Sequence, residues 1–73
     1  MPTFGERLKE LRISKHIKQT EMADIINVSY RNYQDYEYNK VNPKLITLIA
    51  IANYFDVSID YLLCRTNNPQ INK

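Results

Sequence analysis

A chain of 73 residues has room for one domain, whose single core buries roughly half of the surface that the unfolded chain exposes. Its one cysteine, Cys64, excludes an intrachain disulfide and a multi-cysteine metal site and fits a reducing cytoplasm, and no run approaches the roughly 18 apolar residues of a membrane span. A formal net charge of +2 permits a polyanionic partner without requiring one, because between Lys18 and Lys44 the charges cancel: Lys18, Arg31, Lys40 and Lys44 stand against Glu21, Asp24, Asp35 and Glu37.

The elements follow in chain order. The opening MPTFGERLKE has no apolar run after its first charges, so no secretory leader is expected and the protein reads as cytoplasmic. Phe4, Leu8 and Leu11 recur at i, i+4 and i+7 among Glu6, Arg7, Lys9 and Glu10, which predicts an amphipathic helix over residues 3–15. His16, Ile17 and Lys18 break the pattern, and Met22, Ala23 and Ile26 resume it over a short second helix, 19–26. Asn27 tolerates the left-handed conformation that ends a helix and redirects the chain. Ser29 suits an N-cap, with Val28 before it placed to pack on Tyr33, so a third helix runs from about Tyr30 to Tyr38.

The stretch from Asn39 to Pro43 is rich in turn formers, and Pro43 suits the first turn of the next helix. Leu48, Ile49, Ile51, Ala52 and Phe55 make helix four, starting at Leu45. Asp56 and Val57 turn the chain, Ser58 caps, Asp60 favours the positive helix end, and Ile59, Leu62 and Leu63 make a short fifth helix. Cys64 reads as a small apolar residue near a helix end in preference to a redox sensor. The tail, residues 65–73, is polar and expected to fray. The fold class is all-α: a compact bundle of five short helices, with the domain over 1–64.

Helices two and three, two or three residues apart, fit a helix-turn-helix whose second member presents its N-terminal part to the DNA major groove. Tyr30, Arg31, Asn32, Gln34 and Asp35 on the third helix include residue types that pair with base edges, arginine with guanine above all. A merely solvated helix face has the same composition, and from the residues alone both readings stand.

The run from Gln19 to Leu63, taken whole, resembles the Cro and phage-repressor helix-turn-helix family, also called the xenobiotic response element family; with helix one, the resemblance spans nearly the entire chain. Gln19 with Met22-Ala23 is similar to that family's opening of helix two, Val28-Ser29 to its turn, and Tyr36-Glu37 to the end of its recognition helix. Asn42-Pro43, Leu48, Ala52, Val57-Ser58-Ile59-Asp60 and Leu62 follow the remaining signature. The fold implied is that of the lambda-repressor-like DNA-binding domains. The departures are Lys18, where serine or threonine often caps helix two, and Asn27 and Asn39, where glycine is common.

The resemblance implies a sequence-specific, double-stranded-DNA-binding transcriptional regulator. A repressor is the default expectation, because no segment reads as a ligand-sensing part. Tyr30, Arg31, Gln34 and Asp35 are the expected base-contacting residues, Arg31 on guanine, and Asp35 either accepting from a cytosine amino group or holding Arg31 at i, i+4. Gln19, Asn32, Tyr38, Lys40, Asn42 and Lys44 are the expected backbone contacts, with Lys40 and Lys44 releasing counterions. Arg12 and Glu37 match the family's partly buried structural ion pair, and Tyr33 and Tyr36 read as core. Ile46, Ala50, Tyr54 and Tyr61 stand where the family often has polar residues; the first three, four apart, make an apolar stripe down helix four, and together they suggest a homodimer reading a palindrome with half-sites about 34 Å apart.

Catalysis is not expected, since His16 is the sole histidine and there is neither a glycine-rich phosphate loop nor metal-ligand spacing. No cofactor, metal, small-molecule substrate or membrane partner is implied. The alternative is a helix-turn-helix module of antitoxin or anti-repressor type that binds a protein instead of DNA, which the cancelling charges of residues 18–44 favour.

Overall fold

The computed structural model describes residues 2–70. Thr3 starts helix α1 (Phe4–Ser14) with a capping box: its hydroxyl accepts from the Glu6 N–H at 3.2 Å while the Glu6 carboxylate accepts from the Thr3 N–H at 3.0 Å. Helices α2 (Gln19–Ile25), α3 (Tyr30–Glu37), α4 (Leu45–Phe55) and α5 (Ile59–Leu62) follow. The five predicted helices are thus present within one or two residues of their expected ends. Ser29 and Ser58 cap α3 and α5 as expected, each hydroxyl accepting a backbone N–H three residues on. Pro43 is the exception: it sits two residues ahead of the first helical residue and is buried, so it shapes the approach to α4 and not its first turn.

Each helix ends the same way. His16, Asn27, Asn39, Asp56 and Cys64 all take a left-handed backbone, with φ of 57°, 58°, 60°, 55° and 63°. At each, the next residue's N–H reaches back to the carbonyl five residues earlier, as in Val28 to Ala23 (2.9 Å) and Lys40 to Asp35 (2.9 Å). This is the Schellman arrangement, in which the last carbonyls of a helix find donors as the chain turns away. Glycine fills none of the five positions, so each holds a side chain in a conformation L-residues disfavour.

Every helix contributes one fully buried side chain to the core: Leu8, Met22, Tyr33, Ile51 and Leu62, each removal from water stabilising by about 1.5–3 kcal/mol. Helix α3 packs against α2 and α1, and α5 against α4 and α1.

Two expectations are corrected. Arg7, placed by the pattern among the polar residues of α1, is only 5% exposed; its guanidinium lies 3.9 Å from the centre of the Tyr61 ring, and its buried stem fills space beside the core. The segment after Cys64 is not frayed up to residue 70: the Ser58 N–H donates to the Pro69 carbonyl at 3.0 Å, and Arg7 Nη2 reaches Asn67 Oδ1 at 3.5 Å. Residues 71–73 of the predicted tail lie outside the described residues.

Gly5, the one glycine, marks the closest approach of α1 to the end of α3. A Cβ there would lie 2.2 Å from the Glu37 carbonyl oxygen and 2.8 Å from that of Tyr36, both backbone atoms with no side-chain freedom to yield. Beside this contact Asn39 accepts from the Gly5 N–H and donates to the Thr3 hydroxyl, each at 2.9 Å. The clash in Gly5→Ala should cost about 3 kcal/mol, the upper end of overpacking costs, and the roughly 1 kcal/mol of helix propensity gained leaves a net loss of about 2 kcal/mol. Thermal unfolding followed by circular dichroism should show a melting temperature lower by roughly 10 °C; an unchanged or higher value would mean that α1 and α3 lie farther apart.

Candidate nucleic-acid interface

Helix α2 starts without a side-chain cap from Lys18. Glu21 supplies the closure instead, its carboxylate accepting from the Lys18 N–H at 3.0 Å. At its other end Asn27 turns the chain through the left-handed region, which lets Ser29 begin α3 only four residues after α2 closes. Tyr33, Tyr36 and Glu37 face inward and are buried, so Tyr30, Arg31, Gln34 and Asp35 fall on the outer side.

Glu37 is the centre of the inward side. Its side chain is 1% exposed and pairs with that of Arg12, 12% exposed, with Arg12 Nε 2.6 Å from Oε2 and Nη2 3.3 Å from Oε1. The buried Tyr33 hydroxyl donates to Oε2, and Gln19 Nε2 donates to Oε1 at 3.0 Å. Arg12 Nη1 also donates to the Ile17 carbonyl at 2.8 Å, holding the turn between α1 and α2. Burial alone would push the Glu37 carboxyl up, but the hydrogen bonds from Arg12, Tyr33 and Gln19 outweigh it and hold the group below its ordinary value of 4.5. Burial first, and then its bond to Glu37, drive the Tyr33 hydroxyl far up, so it stays protonated and donating.

On the outer side a second set of bonds starts from the same carboxylate. Because Gln19 gives an amide proton to Glu37, its oxygen faces the opposite way. There it accepts from the Tyr30 hydroxyl at 3.4 Å and lies 3.5 Å from Gln34 Nε2, which donates to the Tyr30 oxygen at 2.9 Å. Asn32 turns aside, its amide donating to the Tyr36 hydroxyl at 3.0 Å. Arg31 is exposed. Among the described residues the ion pairs are Arg12–Glu37 and Arg65–Asp60, so Arg31 and Asp35 are not held to each other.

Beyond α3, Tyr38, Lys40, Asn42 and Lys44 are all exposed. Ile46, Ala50 and Tyr54 are exposed along α4, Ile46 by 76%, and Leu45, 70% exposed, and Ile49 widen that apolar face. Tyr61 is half-buried and one face of its ring carries Arg7. The Tyr30–Gln34 clasp escapes sequence reasoning, although i, i+4 spacing is its one visible signal.

Two tests follow from the buried carboxylate. Glu37→Ala, which leaves the Arg12 guanidinium unpaired, should cost about 3–5 kcal/mol in chemical denaturation. The lowered Glu37 value means that the unfolded chain binds more protons than the folded one, so this contribution is complete above the ordinary value of 4.5 and is lost as pH falls through the lower folded value. Stability measured from pH 7 into acid should therefore fall off more steeply in the wild type than in Glu37→Gln; parallel curves would show that Glu37 has the same affinity for protons folded and unfolded.

Residues 8–62 match the model of a family described as Helix-turn-helix. The chain is 44% identical over 64 residues to the SPbeta prophage-derived HTH-type transcriptional regulator YonR of Bacillus subtilis, covering 88% of this chain and 59% of that protein. It is 32% identical over 60 residues to the cryptic phage CTXphi transcriptional repressor RstR of Vibrio cholerae, covering 82% and 54%. The chain thus spans somewhat more than half the length of these relatives. Among solved structures, the P22 c2 repressor in complex with a synthetic operator superposes with a TM-score of 0.80 at 27% identity, covering 86% of this chain and 96% of that one.

Proposed function

The chain belongs to the Cro/C1-type helix-turn-helix family, and from that membership we propose that it is the DNA-binding domain of a sequence-specific transcriptional repressor that inserts α3 into the major groove of its operator. One observation carries the reading. The outer face of α3 offers Arg31 and Asp35 with no intramolecular ion pair among the described residues, on a helix whose inner face is fixed to α1 and α2 through Glu37. A reading helix needs that combination: rigid support and uncommitted hydrogen-bonding groups. Arg31 donates to guanine O6 and N7, and Asp35, one turn further on, accepts from a cytosine amino group. Lys40 and Lys44, helped by Asn42 and Tyr38, contact phosphates, as does the second amide proton of Gln19. Two copies related by a twofold axis bind a palindrome, using the apolar face of α4 around Ile46, Ala50 and Tyr54. That helix has no charged residue from Leu45 to Phe55, although the Lys15 ammonium lies 5.9 Å from the centre of the Tyr54 ring.

The test is binding to DNA selected by the protein from random duplexes, followed by fluorescence anisotropy across a salt series. Arg31→Ala should weaken binding to the selected site by roughly tenfold to a hundredfold and relax the preference at one base pair. Lys40→Ala should weaken binding to all sequences alike and lower the salt slope by about one. If no sequence is selected and affinity does not depend on salt, the chain acts through a protein partner, as the balanced charges of residues 18–44 would allow.

A further inference from the structure

Resting on the reading of α3 as the base-contacting helix, we infer that Tyr30 reads a thymine methyl group with its ring, and that Gln34 positions that ring instead of contacting a base. Tyr30 opens α3, at the end of the helix that enters the groove, and is 45% exposed. Its polar atom is already engaged: the hydroxyl proton goes to Gln19 Oε1 and the oxygen accepts from Gln34 Nε2. The orientation of Gln19 is not free to change, because a buried carboxylate requires the amide nitrogen, not the oxygen, on its own side. A chain of bonds therefore runs from Glu37 through Gln19 to Tyr30, with Gln34 closing it from the next turn of α3.

What Tyr30 has left to offer outward is hydrocarbon. The major groove presents one apolar group, the 5-methyl of thymine, and a ring held flat by its hydroxyl is a preformed surface for it. The same surface accepts 5-methylcytosine, which carries that methyl on a different base pair. Gln34, expected from the sequence to reach a base, has its amide nitrogen facing Tyr30 and Gln19, and so acts on DNA through the tyrosine.

The experiment uses the selected operator with each thymine replaced in turn by deoxyuridine, which differs only by the missing methyl. One position in each half-site should lose affinity by about fourfold, the worth of one buried methyl-sized group. Tyr30→Phe, which keeps the ring but loses both hydroxyl bonds, should shrink that penalty without removing it, Tyr30→Ala should abolish it, and Gln34→Ala should shrink it while leaving thermal stability and the preference at every other position unchanged. Placing cytosine at that position should weaken binding and 5-methylcytosine should restore part of it. The inference is overturned if no deoxyuridine substitution matters, if Tyr30→Phe removes the penalty as fully as alanine does, or if Gln34→Ala relaxes the preference at a base of its own. If no operator can be selected, the reading of α3 itself fails and the inference falls with it; an operator found without methyl sensitivity sinks the inference alone.

Discussion

One buried carboxylate determines how the three N-terminal helices sit together. Glu37 lies at the C-terminal end of α3, where the helix dipole disfavours negative charge and where water is excluded. It is tolerable only because each helix contributes a donor: Arg12 from α1, Gln19 from α2 and Tyr33 from α3 itself. Arg12 stands in the last turn of α1, where a cation is favoured, and also binds the Ile17 carbonyl. A hydrophobic cluster of the same volume could match such a pair for stability. What the apolar substitute lacks is direction, for the three donors set the rotation and the depth of α3 at once.

The same carboxylate divides α3 into two halves with different obligations. Its inner atoms are satisfied by the core side, and through Gln19 its influence reaches Tyr30 and Gln34 on the outer side. Arg31 and Asp35 lie outside this network. On the proposed reading, support and recognition share the eight residues of α3 without sharing side chains, and Gln19, on α2, links the two sets.

The legible part of the fold was whatever repeats or punctuates. Apolar spacing marks the five helices, Ser29 and Ser58 mark two starts, and Asn27 marks a reversal, because each acts through neighbours within a few residues. The Arg12–Glu37 pair was accessible only through family resemblance, since 25 residues separate the partners. What stayed hidden are contacts between distant side chains and backbone: Arg7 over Tyr61, Asn39 bridging Thr3 and Gly5, and the return of Pro69 to Ser58. Arg7 misleads because a long aliphatic stem lets a cation occupy a position that pattern reading assigns to solvent. On the site, the outward face of α3 was visible from its residue types, but the engagement of Gln34 was not, as nothing in the sequence says which of two polar neighbours an amide will choose.

The notch at Gly5 bears on how such a domain changes its target over evolutionary time. Because α1 and the end of α3 meet backbone to backbone, nothing at that junction depends on which side chains occupy the outward positions of α3. If α3 reads bases as proposed, substitution at Arg31 or Asp35 alters what is read without touching the junction that holds the helix. A lineage carrying this fold can follow a drifting binding site by exchanging a few exposed residues while its framework stays constant, so diversity among descendants should collect at those positions and leave the glycine alone.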